Sequence, residues 1–186
     1  MSDTLLVDCY DSFTYNLYQQ IGRLDREPKV VKNDEEIERI LDMGFERIVF
    51  SPGPGKPEDS GVCRELVEET NKPILGVCLG HQVLVSQFKG KVVKGEPIHG
   101  KKDRIFHDNS SLFKDLPQGF QAGRYHSLIA QKIPSSFQKI AETRNKEIMA
   151  VRHRKKPLFG IQFHTESILT PLGDEIIKNF LQMEVV

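Results

Sequence analysis

The 186-residue sequence has no excess of charge of either sign, since 26 Lys and Arg residues balance 26 Asp and Glu. Nucleic acid and acidic membrane surfaces both reward a strong basic excess, so neither is indicated as the main partner. No apolar run approaches the roughly 18 residues of a transmembrane helix. The opening MSDTLLVDCYDSF has no basic start followed by a long apolar stretch, so it does not read as a secretory signal. Cysteine is scarce and odd in number: Cys9, Cys63 and Cys78 show no CxxC spacing, which excludes a disulfide framework and a zinc site. Reduced thiols then point to a cytoplasmic protein. There is no internal repeat, low-complexity tract or linker, and a chain of this length fits one domain spanning residues 1–186.

What is present has a rhythm. TLLVD, PKVVK, ERIVF and PILGV are short apolar runs. They alternate with helical patterns over Ser12–Leu24, DEEIERILDM, VCRELVEET and LGHQVLVSQF. Ser12 and Asp34 are candidate N-caps of the first two helices, and Gly44 a stop signal for the second. Such alternation predicts βα units and a mostly parallel sheet flanked by helices, an α/β fold of the flavodoxin-like kind. From Lys91 to Phe163 the pattern changes. KVVKG, KDRIF, SLIAQ, FQKIAET and EIMAVRHR read as strands separated by turns, a β-rich insertion in the second half. PLFGIQF returns as an apolar strand, and PLGDEIIKNFLQM closes as a helix with Pro171 in its first turn. The basic run RHRKK, Arg152 to Lys156, has no interleaved aromatics to stack on bases and reads as a solvated hairpin turn.

Ligands of such sheets bind at the carboxyl ends of the strands, and three ends are unusual. In PILGVCLGHQ, Cys78 sits between Gly76 and Gly80 where a strand runs directly into a helix. This is the G-x-nucleophile-x-G layout of a nucleophile elbow with sulfur in place of oxygen, and it sets the thiol at a helix N-terminus that favours a thiolate. A small buried residue at a tight turn would leave the same pattern. In FSPGPGKPEDSG, prolines stiffen a loop whose glycines let backbone N–H groups approach a ligand. The N–H groups of Gly53 and Leu79 could together form an oxyanion hole, where one donor can be worth about 10²–10³ in rate. A plain turn would look alike, but a Walker A loop is excluded because no GK[ST] follows. In LFGIQFHTES, His164 and Glu166 stand two apart, so on extended backbone they share a face. A carboxylate there would fix the imidazole tautomer and leave the other nitrogen for a thiol. His81, His99, His107, His126 and His153 have no carboxylate so spaced, and His81 is expected to point along the elbow helix.

With these residues in view, the chain resembles the class I (triad) glutamine amidotransferases, and within them the small subunits of anthranilate synthase and aminodeoxychorismate (para-aminobenzoate) synthase. VDCYDSFTYNL, SPGPG, PILGVCLGHQ, IHGK, RYHSL, IMAVRHR and GIQFHTESILT carry the resemblance, in one order along nearly the whole chain. It implies a glutaminase with Cys78 as nucleophile, His164 as base and Glu166 orienting the base. Gly53 and Leu79 would form the oxyanion hole, and Gly53, Pro54, Gly55, Gln82, Ser127 and Leu128 would bind glutamine. Gln82, one helical turn after Cys78, is well placed for this. The released ammonia would pass to a chorismate-binding synthase subunit facing His99, Gly100 and Lys101. No cofactor is implied for this chain; Mg²⁺ is expected in the synthase subunit. GRYHSL reads closer to the anthranilate branch.

The chain departs from the family pattern in three places. Cys9 stands where asparagine is usual and Thr165 where proline is usual, so a looser turn is expected between His164 and Glu166. Lys102 and Asp103 stand where a small hydroxyl pair is usual. Two other classes remain: a different cysteine hydrolase on the same sheet, which would not need SPGPG or His-x-Glu, and a catalytically silent assembly subunit, which would not need an intact triad.

Overall fold

A computed structural model describes residues 3–183. The strands are β1 (Thr4–Asp8), β2 (Lys29–Lys32), β3 (Arg47–Phe50), β4 (Ile74–Val77), β5 (Lys91–Lys94), β6 (Lys101–His107), β7 (Phe120–Arg124), β8 (Leu128–Lys132), β9 (Phe137–Thr143), β10 (Ile148–His153) and β11 (Leu158–Ile161). The helices are α1 (Thr14–Leu24), α2 (Ile37–Leu41), α3 (Val62–Glu69), α4 (Leu79–Gln87) and α5 (Gly173–Leu181). One sheet runs in the order β2-β1-β3-β4-β11-β10-β9-β6-β7, and β5 and β8 pair as a separate ribbon. From β2 to β11 neighbouring strands are parallel; from β11 to β7 they are antiparallel. The β-rich second half therefore mostly extends the central sheet.

The short apolar runs form strands because both faces are covered. Side chains alternate across a strand, so Leu6, Val49 and Leu75 pack with α1 and α5, through Leu17, Ile21, Ile176 and Phe180. Leu5, Val7, Ile48 and Ile74 turn the other way onto α3 and α4, through Leu66, Val67 and Val83. α4 is buried from Leu79 through Val85, as a helix without a polar face must be. Among the described residues no helix is long and apolar enough to cross a membrane.

Three helix starts differ from expectation. Residue 13, not Ser12, caps α1: Asp11 forms the local turn, its Oδ1 accepting from the Phe13 N–H at 2.7 Å. Glu36 replaces Asp34 as the cap of α2, because the Asp34 carboxylate accepts the Tyr10 hydroxyl at 2.9 Å. Pro171 lies just before α5, which is capped at Leu172. Gly44 does stand at φ 62°, as a helix stop requires. The basic run turns β10 into β11, with His153 Nδ1 accepting the Lys155 and Lys156 N–H groups. β7 was not legible: FQAGR mixes polar and small residues and its pairing is non-local.

Candidate active site

The junction of β4 and α4 is held by close backbone contact. Cys78 caps α4 at φ 53° and ψ −98°, a left-handed conformation that costs a non-glycine residue about 1–3 kcal/mol. A Cβ on Gly76 would stand 2.3 Å from the Gly80 carbonyl, and one on Gly80 would stand 2.7 Å from Phe50 Cβ. Gly160, paired with Gly76 across β11 and β4, leaves room for His81, whose Nδ1 would be 2.7 Å from a Cβ there. His81 therefore turns onto the sheet and not along α4, a correction to the sequence reading. It is fully buried, and burial followed by the charge of His126 lowers its pKa to about 3.

The loop after β3 reaches the same point. A Cβ on Gly53 would lie 2.5 Å from Leu79 Cδ2 and 2.7 Å from Cys9 Cβ. Position 53 is thus wedged between the first residue of α4 and the end of β1. Cys9 backs this loop: its N–H donates to Ser51 Oγ at 2.9 Å, and its sulfur lies 3.6 Å from that of Cys63. All three cysteines are free thiols, and burial pushes Cys63 well above its usual pKa. Pro54 and Gly55 are exposed at the loop tip.

His164 and Glu166 meet differently from the expected way. β11 ends at Ile161 and residues 165 and 166 form a turn, so the pair is joined across a bend and not by strand alternation. His164 Nδ1 and Glu166 Oε1 are 2.7 Å apart, with both side chains buried. The His164 N–H donates to the Gly123 carbonyl at 3.0 Å. Thr170 Oγ1 accepts the Gly123 N–H at 2.9 Å and donates to the His164 carbonyl at 2.5 Å. Thr165 is 2% exposed, and its carbonyl accepts the Gln20 amide at 2.9 Å. Phe13 and Tyr125 set ring edges against His164 at centroid distances of 5.2 Å and 5.0 Å. Burial opposes a charged ring here, but the nearby Cys78 sulfur and the hydrogen-bonded Glu166 carboxylate outweigh it, raising His164 to about 10. The sulfur is near enough to act on the ring, yet Nε2 has no well-formed hydrogen bond. Catalytic pairs commonly stand apart in this way until substrate arrives.

The remaining predicted positions divide in two. Gln82 Nε2 donates to the Leu128 carbonyl at 3.0 Å, joining two of them directly. Ser127 is exposed beside them. His99, Gly100 and Lys101 form an exposed edge, fixed where the Gly100 N–H donates to the Arg124 carbonyl at 3.0 Å and where His99 lies against Tyr125. Sequence reasoning missed the support behind Leu128. Arg124, buried, forms ion pairs with Asp103 at 2.6 Å and Glu147 at 2.8 Å. Its Nε donates to His126 Nε2 at 3.2 Å, and His126 Nδ1 donates to the Leu128 carbonyl at 3.0 Å. Burial and then the Arg124 charge lower His126 to about 4, so the ring is neutral. Gln162 was missed too, although a buried amide inside the apolar run LFGIQF was a readable signal.

This is a buried thiol on a strained elbow beside a carboxylate-bound imidazole, with a glycine loop wedged against the first turn of the helix. Such a set can form and hydrolyse a covalent acyl intermediate. Among the described residues no group of three or more His, Cys, Asp or Glu could hold a metal ion. The family described as "Glutamine amidotransferase class-I" matches residues 5–183. Anthranilate synthase component 2 of Methanothermobacter thermautotrophicus is 46% identical over 192 residues, covering 96% of this chain and 98% of the relative. A Bacillus subtilis protein named aminodeoxychorismate/anthranilate synthase component 2 is 43% identical, covering 96% of this chain and 95% of the relative. The fold matches a Thermotoga maritima glutamine amidotransferase structure with a TM-score of 0.77 at 14% identity, over 97% of this chain and 96% of that one.

Proposed function

This chain belongs to the class I glutamine amidotransferase family, and on that premise we propose how its site works and which reaction it serves. The Cys78 thiolate attacks the side-chain carbonyl carbon of glutamine. The oxyanion is received by the N–H groups of Gly53 and Leu79. His164 gives its proton to the departing nitrogen, which leaves as ammonia, and a γ-glutamyl thioester remains on Cys78. His164 then takes a proton from water, and the hydroxide attacks the thioester to release glutamate and restore the thiol. Glu166 holds Nδ1 and keeps Nε2 directed at sulfur and water. Gly53, Pro54, Gly55, Gln82, Ser127 and Leu128 enclose the substrate.

The observation that carries this reading is Cys78 at φ 53° on the elbow, next to a His164 whose other nitrogen is bound to Glu166 at 2.7 Å. The component 2 names of the relatives support a two-component enzyme. In our reading a chorismate-binding synthase subunit docks along His99, Gly100 and Lys101 and receives ammonia before water can protonate it. The synthase holds any Mg²⁺, and this chain needs no cofactor. The product is anthranilate, the first reading because six relatives carry the name anthranilate synthase component 2 alone. Aminodeoxychorismate is the second reading, favoured by the Bacillus subtilis relative named for both and by a Streptomyces griseus aminodeoxychorismate synthase that is 45% identical over 25% of its own length.

The test is labelling by a glutamine-analogue chloroketone, followed by pairing with each synthase subunit. Label confined to Cys78, blocked by glutamine and absent in Cys78→Ser, is the expected result. Label shared equally with Cys9 and Cys63 overturns it. Glutamine-dependent anthranilate formation with one synthase and not the other decides the product.

A further inference from the structure

Gln162 is fully buried at the end of an otherwise apolar run, between Ile161 and Phe163. A primary amide there is costly unless both its ends are hydrogen-bonded. Two contacts are available: Gln162 Nε2 lies 3.8 Å from Cys78 Sγ, and Gln162 Oε1 lies 3.4 Å from Gln82 Nε2.

The direction of donation along this chain is fixed from its far end. The Leu128 carbonyl can only accept, so the group of Gln82 that faces it is the amino group, 3.0 Å away. The same amino group faces Gln162, which must therefore present its oxygen to Gln82. That leaves the Gln162 N–H groups directed at sulfur. Turning the Gln162 amide over would set two amino groups against each other and an oxygen lone pair against the thiolate. His126 donates to the same carbonyl at 3.0 Å and secures the anchor. The Gln162 N–H also donates to the Met149 carbonyl at 2.8 Å, holding its backbone to β10.

We propose that Gln162 is a further catalytic residue: its side-chain N–H holds the Cys78 thiolate, with its orientation set by Gln82 and Leu128. This deepens the proposed function, since it rests on Cys78 being the nucleophile. An N–H directed at sulfur favours the charged form. The contact, 3.8 Å in this structure, shortens as charge develops on sulfur. Because Gln82 also belongs to the glutamine site, the amide that holds the sulfur is fixed by a residue the substrate touches.

The charged and titratable groups facing Cys78 are His164 and, behind it, Glu166. His81 on α4 and His126 before β8 stay neutral well below pH 6, with pKa values of about 3 and about 4. The pH dependence of sulfur reactivity above pH 5 thus reports the Cys78–His164 pair and what holds it.

The experiment measures iodoacetamide alkylation of Cys78 from pH 5 to 9, with the modified residue mapped by mass spectrometry. It uses wild type, Gln162→Glu and Gln162→Met, and Gln162→Asn as the mildest change if the others do not fold. Loss of one hydrogen bond to a charged group should raise the alkylation midpoint by about one pH unit in Gln162→Met. A larger rise is expected in Gln162→Glu. In the complex with its synthase, kcat for glutamine hydrolysis should fall about 10–100-fold in Gln162→Met, with KM changed far less. Folded variants that alkylate with the wild-type midpoint overturn the proposal. Glutamine hydrolysis surviving Cys78→Ser would instead overturn the functional reading beneath it.

Discussion

The two halves of the central sheet present chemistry by different physical means. In the parallel half, β1, β3, β4 and β11 are buried along their whole length, and function sits at their ends. There the backbone is forced: Cys78 has positive φ, and glycines at 53, 76, 80 and 160 leave no room for a side chain. In the antiparallel half, β6 is largely exposed and the useful groups lie along the strands and in the bends between them. There a buried arginine, balanced by two carboxylates, holds a neutral histidine against one carbonyl. The first arrangement builds a reactive atom and the second builds a shaped wall. Changes in the first should remove rate or fold, and changes in the second should weaken substrate binding.

The sharpest test of that division is Cys78→Ser, which should lower glutaminase activity by at least about 10³-fold while glutamine still binds, as isothermal titration would report. Next is Gly76→Ala. With the new methyl 2.3 Å from backbone, the elbow must shift, and a loss of about 3 kcal/mol or more in denaturant unfolding is expected. A near-wild-type midpoint would break the claim that the parallel half is set by steric closeness.

Acid should act on both halves at once. His81 and His126 have folded pKa values of about 3 and about 4, below the ordinary 6.5. The unfolded chain then binds protons that the fold refuses. The contribution of these two rings is full above pH 6.5 and declines as pH falls towards 4, by up to about 1.4 kcal/mol per pH unit for each ring. Chemical unfolding at pH 7, 6 and 5 measures the slope, and His126→Asn should make it shallower.

Arg124→Met should raise KM for glutamine about tenfold with a smaller fall in kcat, because it frees His126 and the Leu128 carbonyl, which also anchors Gln162 through Gln82. Asp103 and Glu147 are 35% and 34% exposed and can rehydrate. The stability loss should then be about 1–3 kcal/mol, below the 3–5 of a fully buried pair. A fall in kcat at constant KM would contradict the division of labour. The smallest effect belongs to Gly55→Ala. No atom lies near its missing Cβ, so only φ 82° resists the change, at about 1 kcal/mol. Steady-state kinetics should show whether the exposed loop tip contributes to KM.

Much of this was legible because it is local. Apolar runs of four or five residues bounded by helical periods gave the parallel strands, and small residues around Cys78 gave the elbow. His164 and Glu166 were legible as a pair but not in their geometry, since the bend at Thr165 depends on Gln20 and Thr170. β7 was missed because FQAGR is a strand only by pairing with β6, and its Gly123 is what pins His164. Gln162 and Arg124 look like isolated polar residues until burial shows that each must have partners.

The sequence by itself determined the alternation of strand and helix, the placing of the thiol at a strand end, and the glycines that let the turn close. These follow from side-chain period and backbone sterics, which act over a few residues. Tertiary structure alone decided how His164 is set beside the thiol, how the Glu166 turn is braced, and which way the amides of Gln82 and Gln162 face. Those outcomes depend on burial and on hydrogen bonds between residues as far apart as Gln20 and Thr165. A buried donor or acceptor must find its partner wherever the fold brings one.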